Sequence, residues 1–149
     1  MKIYVINGPN LNMLGIREPL HYGSTTYPEL CDIIKAHCKE KNTDAVLYQS
    51  NHEGDLVDKI QEAYFEGADG IVINPGAYTH TSIALLDAVK STSLPTVEIH
   101  ISALETREAF RQISFIREAC IATVTGEGIN GYITAIDYLL EHFGGNNEK

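Results

Sequence analysis

Apolar residues recur along this chain in two alternating rhythms. Short, mostly apolar runs stand at 2–7 (KIYVIN), 45–48 (AVLY), 70–73 (GIVI), 95–99 (PTVEI) and 121–125 (IATVT). They have the length of β-strands covered on both faces. Between them lie stretches with helical spacing. These carry Leu30, Ile33, Ile34 and Cys38, then Leu56, Val57, Ile60, Ala63 and Tyr64, then Ile83, Leu86 and Val89, and last Ile133, Ile136, Leu139 and Leu140. Thr26 and Glu29 have capping-box spacing with Pro28 in the first turn, and Ser50 and Glu53 repeat that spacing. The first long helix should end near 41–42, and Gly67 is a natural stop for the second. Helices are predicted over 81–91, 105–113 and 130–142, and the tail, 144–149, should fray.

Strands and helices alternate from end to end, which predicts a parallel sheet with helices on both faces. Five strands in this length suggest the flavodoxin-like α/β order 2-1-3-4-5, within one domain spanning 1–149. In such sheets ligands bind beyond the carboxyl ends of the strands, near the switch in strand order. The segments there are 7–23, 49–52, 74–81, 100–102 and 126–131.

Composition narrows the function classes. The chain has 149 residues, 44% hydrophobic and 21% charged, with a net charge of −9. That charge argues against nucleic acid or an anionic membrane as the main partner. No apolar run approaches 18 residues, and the N-terminus lacks a signal-peptide layout, so a cytoplasmic protein is expected. Cys31, Cys38 and Cys120 are too few and scattered for a disulfide framework and read as small core residues. No metal-binding spacing is present, so no metal is expected.

The segment 10–23, NLNMLGIREPLHYG, has neither strand nor helix periodicity and reads as a loop. Long loops in compact domains are often functional. Here Arg17 and Tyr22 stand five apart, with Pro19 limiting the chain between them. Making a phenolate at pH 7 costs a free tyrosine about 4 kcal/mol. A guanidinium about 4 Å away supplies roughly that much at an effective dielectric near 20. An arginine beside a tyrosine can thus build a base without metal or lysine; a polar surface loop is the plainer reading.

Glu98 and His100 lie two apart at a strand end, facing the same way in extended chain. A carboxylate beside an imidazole fixes its tautomer and favours its acid form, as a general acid needs. A satisfied histidine at a sheet end fits the same pattern. Ser102 and Glu105 again have capping-box spacing, and a helix start there would also attract carboxylates. Arg107 and Arg111 share a face of that helix; Arg107 reads as surface charge, and Arg111 as either surface or site. GEGING at 126–131 matches a dinucleotide fingerprint, but no ribose-binding acid or βαβ unit follows, so a tight turn into the last helix is expected.

Taken together, the stretches GPNLNMLGIREPLHYG, SNHEGDLVDKIQEA, INPGAYTHTSIALLDA and VEIHIS with the later REAFR resemble a type II 3-dehydroquinate dehydratase over about 3–140. The resemblance implies a cofactor-free lyase that reversibly dehydrates 3-dehydroquinate to 3-dehydroshikimate through an enolate, in the shikimate pathway or in quinate breakdown. It implies a homododecamer built as a tetramer of trimers. By position, Tyr22 would remove a C2 proton, with Arg17 assisting, and Asn12 would hold a water against the enolate oxygen. His100 would protonate the leaving C1 hydroxyl, with Glu98 orienting groups around it. Asn74, Ile101 and Ser102 would bind the substrate carboxylate. His80, Asp87 and Arg111 would meet the ring hydroxyls, Asp87 from the neighbouring subunit. The chain departs from the family's pattern at Leu86, Ala103, Glu105 and over 115–122. A flavin- or phosphate-binding module would need a Ser/Thr-rich loop after the first strand, where this chain has Asn, Pro, Leu and Arg. A scaffold that lost activity is the third reading, and the intact Arg17, Tyr22 and His100 speak against it.

Overall fold

The computed structural model describes residues 1–144, so nearly all of the tail expected to fray lies outside the described residues. Five strands form one parallel sheet: β1 (Lys2–Asn7), β2 (Asp44–Gln49), β3 (Gly70–Asn74), β4 (Thr96–His100) and β5 (Ala122–Thr125). Their order is β2-β1-β3-β4-β5, the flavodoxin-like arrangement. The helices are a single turn α1 (Pro19–Tyr22), then α2 (Tyr27–Glu40), α3 (Glu53–Phe65), α4 (Ile83–Thr92) and α5 (Asn130–Phe143).

The pleat sorts side chains into two cores. Ile3, Val5, Val72, Val97 and Ile99 face Leu30, Ile34 and Cys38 of α2 and Ala135, Ile136 and Leu139 of α5. Tyr4, Ile6, Ile71 and Ile73 face Leu56 and Ile60 of α3 and Leu85 and Val89 of α4. Glu98 belongs to this second face, in register with Ile73, and is fully buried. A charge thus occupies a position that packing alone would give to an apolar residue.

Helix starts follow local chemistry. At α2 the expected capping box is complete, with Thr26 Oγ1 accepting from the Glu29 N–H and Glu29 Oε2 accepting from the Thr26 N–H. The second expected box does not form. The Ser50 hydroxyl donates to Asp55 Oδ2 instead, and His52 precedes α3 without a side-chain cap. Ser82 caps α4, so this helix starts two residues later than expected. Three positions counted in the helical stripes, Ile33, Tyr64 and Ile83, are 42%, 54% and 48% exposed and stand outside the core. Cys38 is buried as expected, and all three cysteines are free.

The largest departure falls on 105–113. Instead of one helix, the chain makes two separate 3-10 turns, Leu104–Thr106 and Ala109–Arg111. Phe110 and Ile113, which would have anchored a helix, are 66% and 60% exposed, so no apolar stripe holds one down. Among the described residues no helix is long and apolar enough to cross a membrane.

Candidate active site

The ends of β1, β3 and β4 meet at one edge of the sheet, where Asn7 pairs in register with Asn74. Behind them the buried Tyr132 hydroxyl of α5 donates to Asn7 Oδ1 at 2.6 Å and accepts from Asn74 Nδ2 at 3.0 Å. Asn74 Oδ1 also accepts from the Gly76 N–H at 3.1 Å. These bonds fix the orientation of the Asn74 amide and leave its second N–H for the cavity. Gly8 crosses here so closely that a Cβ would lie 2.5 Å from the Pro75 carbonyl oxygen, so only glycine fits.

These strand ends form the floor of a cavity of about 110 Å³. Its wall brings together Arg17, Tyr22, Asn74, His80, His100, Ile101, Ser102 and Arg111, eight of the residues expected from sequence. Glu98 sits directly behind His100. Asn12 and Asp87 do not line it: both are exposed, and Asn12 Oδ1 accepts a long bond from Gln49 Nε2 at 3.4 Å.

The segment between Arg17 and Tyr22 turns as α1, with Pro19 in its first turn. The turn brings Arg17 Nη2 within 3.1 Å of the Tyr22 oxygen and its guanidinium carbon within 4.2 Å of the ring centroid. A second guanidinium reaches the same oxygen. Arg107 Nη1 lies 3.2 Å from Tyr22 Oη and 3.2 Å from Ser102 Oγ, on a side chain only 6% exposed. The bond to Tyr22 raises Arg107 above its ordinary value, although burial opposes it.

Arg107 is therefore not surface charge, and Ser102 does not cap a helix; the hydroxyl serves Arg107. Sequence reasoning missed this residue because it assumed one continuous helix. The available signal was a cation four residues before Arg111, directly after the segment carrying His100.

His100 points away from the α5 side, toward Glu98, as strand alternation requires. Its Nε2 donates to Glu98 Oε1 at 2.6 Å, so Nδ1 is the ring nitrogen left for a ligand. Glu98 collects further bonds from Thr79, Ser114, Thr123 and Arg117. Burial works against its charge, yet the bonds from His100, Ser114 and Arg117 outweigh it and hold the carboxyl far below the usual range.

His80 Nδ1 donates to the Ile113 carbonyl at 2.6 Å, leaving Nε2 as an acceptor toward the cavity. Burial first, then the nearby His100 and Arg111 charges, push His80 down and keep it neutral at pH 7.

The discounted glycine-rich stretch is a turn, as expected, and it braces the site. Gly126 and Gly128, at φ of 75° and 61°, donate their N–H groups to the carbonyls of Ser102 and Ile101. Among the described residues the cavity wall carries three arginines and no carboxylate, so its local field favours an anion despite the net charge of −9.

The family model described as dehydroquinase class II matches residues 1–140. A 3-dehydroquinate dehydratase of Fusobacterium nucleatum is 53% identical over 96% of this chain and 99% of its own length. One from Caldicellulosiruptor saccharolyticus is 52% identical over 96% of this chain and 99% of its own. The crystal structure of a type II dehydroquinase from Butyrivibrio crossotus superposes with a TM-score of 0.92 at 56% identity, covering 93% of this chain and 97% of that one. With the sheet order and these likenesses in agreement, the chain belongs to the class II dehydroquinase family.

Proposed function

We propose that this enzyme dehydrates 3-dehydroquinate to 3-dehydroshikimate, reversibly, without a cofactor, through an enolate. The observation that carries the reading is the Tyr22 oxygen, held by two guanidinium groups on the wall of the cavity that also presents His100. Loss of water from a β-hydroxyketone needs a base for the α-proton, donors for the enolate oxygen and an acid for the leaving hydroxyl.

Tyr22 is the base in this reading. Arg17 and Arg107 face the atom that gives and takes the proton, and they bind it more strongly when it is charged. His100, its Nε2 committed to Glu98, delivers a proton to the C1 hydroxyl from Nδ1. Asn74 and the backbone N–H groups of Ile101 and Ser102 bind the carboxylate. His80 and Arg111 meet ring hydroxyls, and His80 Nε2 suits a hydroxyl donor. Asn12 holds the water against the enolate oxygen, a role that needs the loop to close inward from its exposed position. Asp87 acts on the cavity of a neighbouring subunit, in keeping with its exposure on α4.

We also infer a single catalytic domain over 1–149, a cytoplasmic location and a homododecamer built as a tetramer of trimers. The exposed Ile83, Phe110 and Ile113 are apolar surface that such contacts would cover. Light scattering would test the assembly: a mass of twelve 16.4 kDa chains supports it, and a monomer refutes it.

The activity has a direct assay. Adding 3-dehydroquinate should raise the ultraviolet absorbance of a conjugated enone. Borohydride with substrate should leave the rate unchanged, since no imine forms; inactivation would point to a Schiff-base lysine and overturn the mechanism.

A further inference from the structure

Glu98 is held from two sides, and only one of them faces the cavity. On Oε1 it accepts from His100 at 2.6 Å, Ser114 at 2.6 Å and Thr79 at 2.9 Å. On Oε2 it accepts from Arg117 Nε at 2.9 Å and Thr123 Oγ1 at 3.2 Å, while Arg117 Nη2 lies 3.5 Å from Oε1. Thr123 gets there by register, since β5 pairs it directly with Glu98. Arg117 gets there from the 3-10 turn Ile116–Ala119, which Ile116 anchors in the α3–α4 core. Both donors lie in or beside the stretch 115–122.

A carboxylate with no exposure needs a counter-charge, and His100 supplies one only when protonated. Arg117 supplies it in every protonation state of His100. It approaches from outside, its side chain 44% exposed, and it does not line the cavity. We infer that Arg117 is a positioning residue for the Glu98–His100 pair: by occupying the far side of the carboxylate it keeps Glu98 ionised and aimed at His100 Nε2, so that His100 Nδ1 faces the ligand. This rests on the reading of His100 as the general acid.

The groups around the pair bear on its pH behaviour. His80 faces His100 from the turn Gly76–His80, with Arg111 beyond it. Cys120, pushed up to about 12 by burial and by Glu98, stays a neutral thiol. With Arg117 removed, the donors from His100, Ser114, Thr79 and Thr123 still hold the Glu98 charge, and His100 becomes its one cationic partner among the described residues. That charge favours the imidazolium, so the limb of the kcat profile set by the acid moves to higher pH. A more tightly held proton is also a slower one.

The test compares Arg117→Ala, Arg117→Lys and His100→Ala as purified full-length enzymes. Arg117→Ala should lower kcat about tenfold, a fraction of the ~10²–10⁴ a general acid supplies, with KM nearly unchanged. Its basic limb should move up, and millimolar guanidinium chloride should restore part of kcat. Arg117→Lys should recover charge without the fork and fall between. An unchanged kcat and pH profile in Arg117→Ala would reduce Arg117 to a surface ion pair and overturn the inference. So would a lost kcat with an unmoved pH limb and no guanidinium rescue, which marks a purely structural role. If His100→Ala turns over like wild type, the acid assignment itself fails and takes the inference with it.

Discussion

The two sides of the cavity are built on opposite plans. The base side is a loop folded over the strand ends. Ile16 and Leu20 there are 70% and 94% exposed, and Glu18 sits at φ 31°, where residues other than glycine are strained. Its working atom is held by charge, from Arg17 and Arg107, rather than by packing. The acid side lies on β4 inside the fold, with Glu98 fully buried and His100 only 5% exposed. Its donors come from five separate segments of the chain and are fixed before any ligand arrives. A loop can open to admit a ring and close over it, while a strand cannot move without the core. On the proposed mechanism, the adaptable half would lie where the substrate enters and the rigid half where the leaving group departs.

This contrast predicts how each side fails. The largest effect belongs to Tyr22→Phe, which removes the base but little packing. Turnover of 3-dehydroquinate should fall by at least about 10³-fold with an unchanged melting curve. His100→Ala comes next, at about 10²–10³-fold in kcat. It should slow loss of the hydroxyl more than loss of the proton, so the C2 deuterium isotope effect shrinks; an effect that grows would contradict the assignment.

Arg107→Ala should cost about 10–100-fold in kcat/KM, as lost charge-assisted bonds do. Because Arg17 and Arg107 meet at one oxygen, Arg17→Ala and Arg107→Ala should combine non-additively. Strict additivity would mean that the two act at separate places.

The clearest effect on stability belongs to Glu98→Gln, which should also lower kcat at least as much as Arg117→Ala does. It should destabilise the fold by about 2–3 kcal/mol at pH 7 in urea titration, less than a wholly buried pair because Arg117 can return to water. Glu98 is held far below its unfolded value of about 4.3, so its contribution is complete above that pH and is lost as pH falls toward the folded value. Wild type should therefore lose stability on acidification below about pH 4.3, and Glu98→Gln should show a flatter acid profile. An equally steep profile in the variant would place the acid sensitivity elsewhere.

How much of this was legible in the sequence follows the same divide. The strands declared themselves as short apolar runs because helices cover both faces of the sheet, and the long helices by the 3.6 period their cores impose. Glu98 and His100 were readable as a pair because extended chain fixes their relation. The base side was legible only in part. Arg17 and Tyr22 stood out by proximity, but the helical turn between them has no periodic signal in four residues. Arg107 was hidden because its partner, Tyr22, is 85 residues away and the intervening backbone is irregular. Arg117 escaped for a similar reason: nothing local says that a half-exposed arginine faces a buried carboxylate on another strand.

The central claim is that the Tyr22 oxygen takes the C2 proton. Incubating the enzyme with 3-dehydroquinate in D2O and following deuterium at C2 tests it directly. The account predicts that exchange in wild type accompanies turnover, outlasts dehydration in His100→Ala and vanishes in Tyr22→Phe. Exchange at the wild-type rate in Tyr22→Phe would show that another group removes the proton.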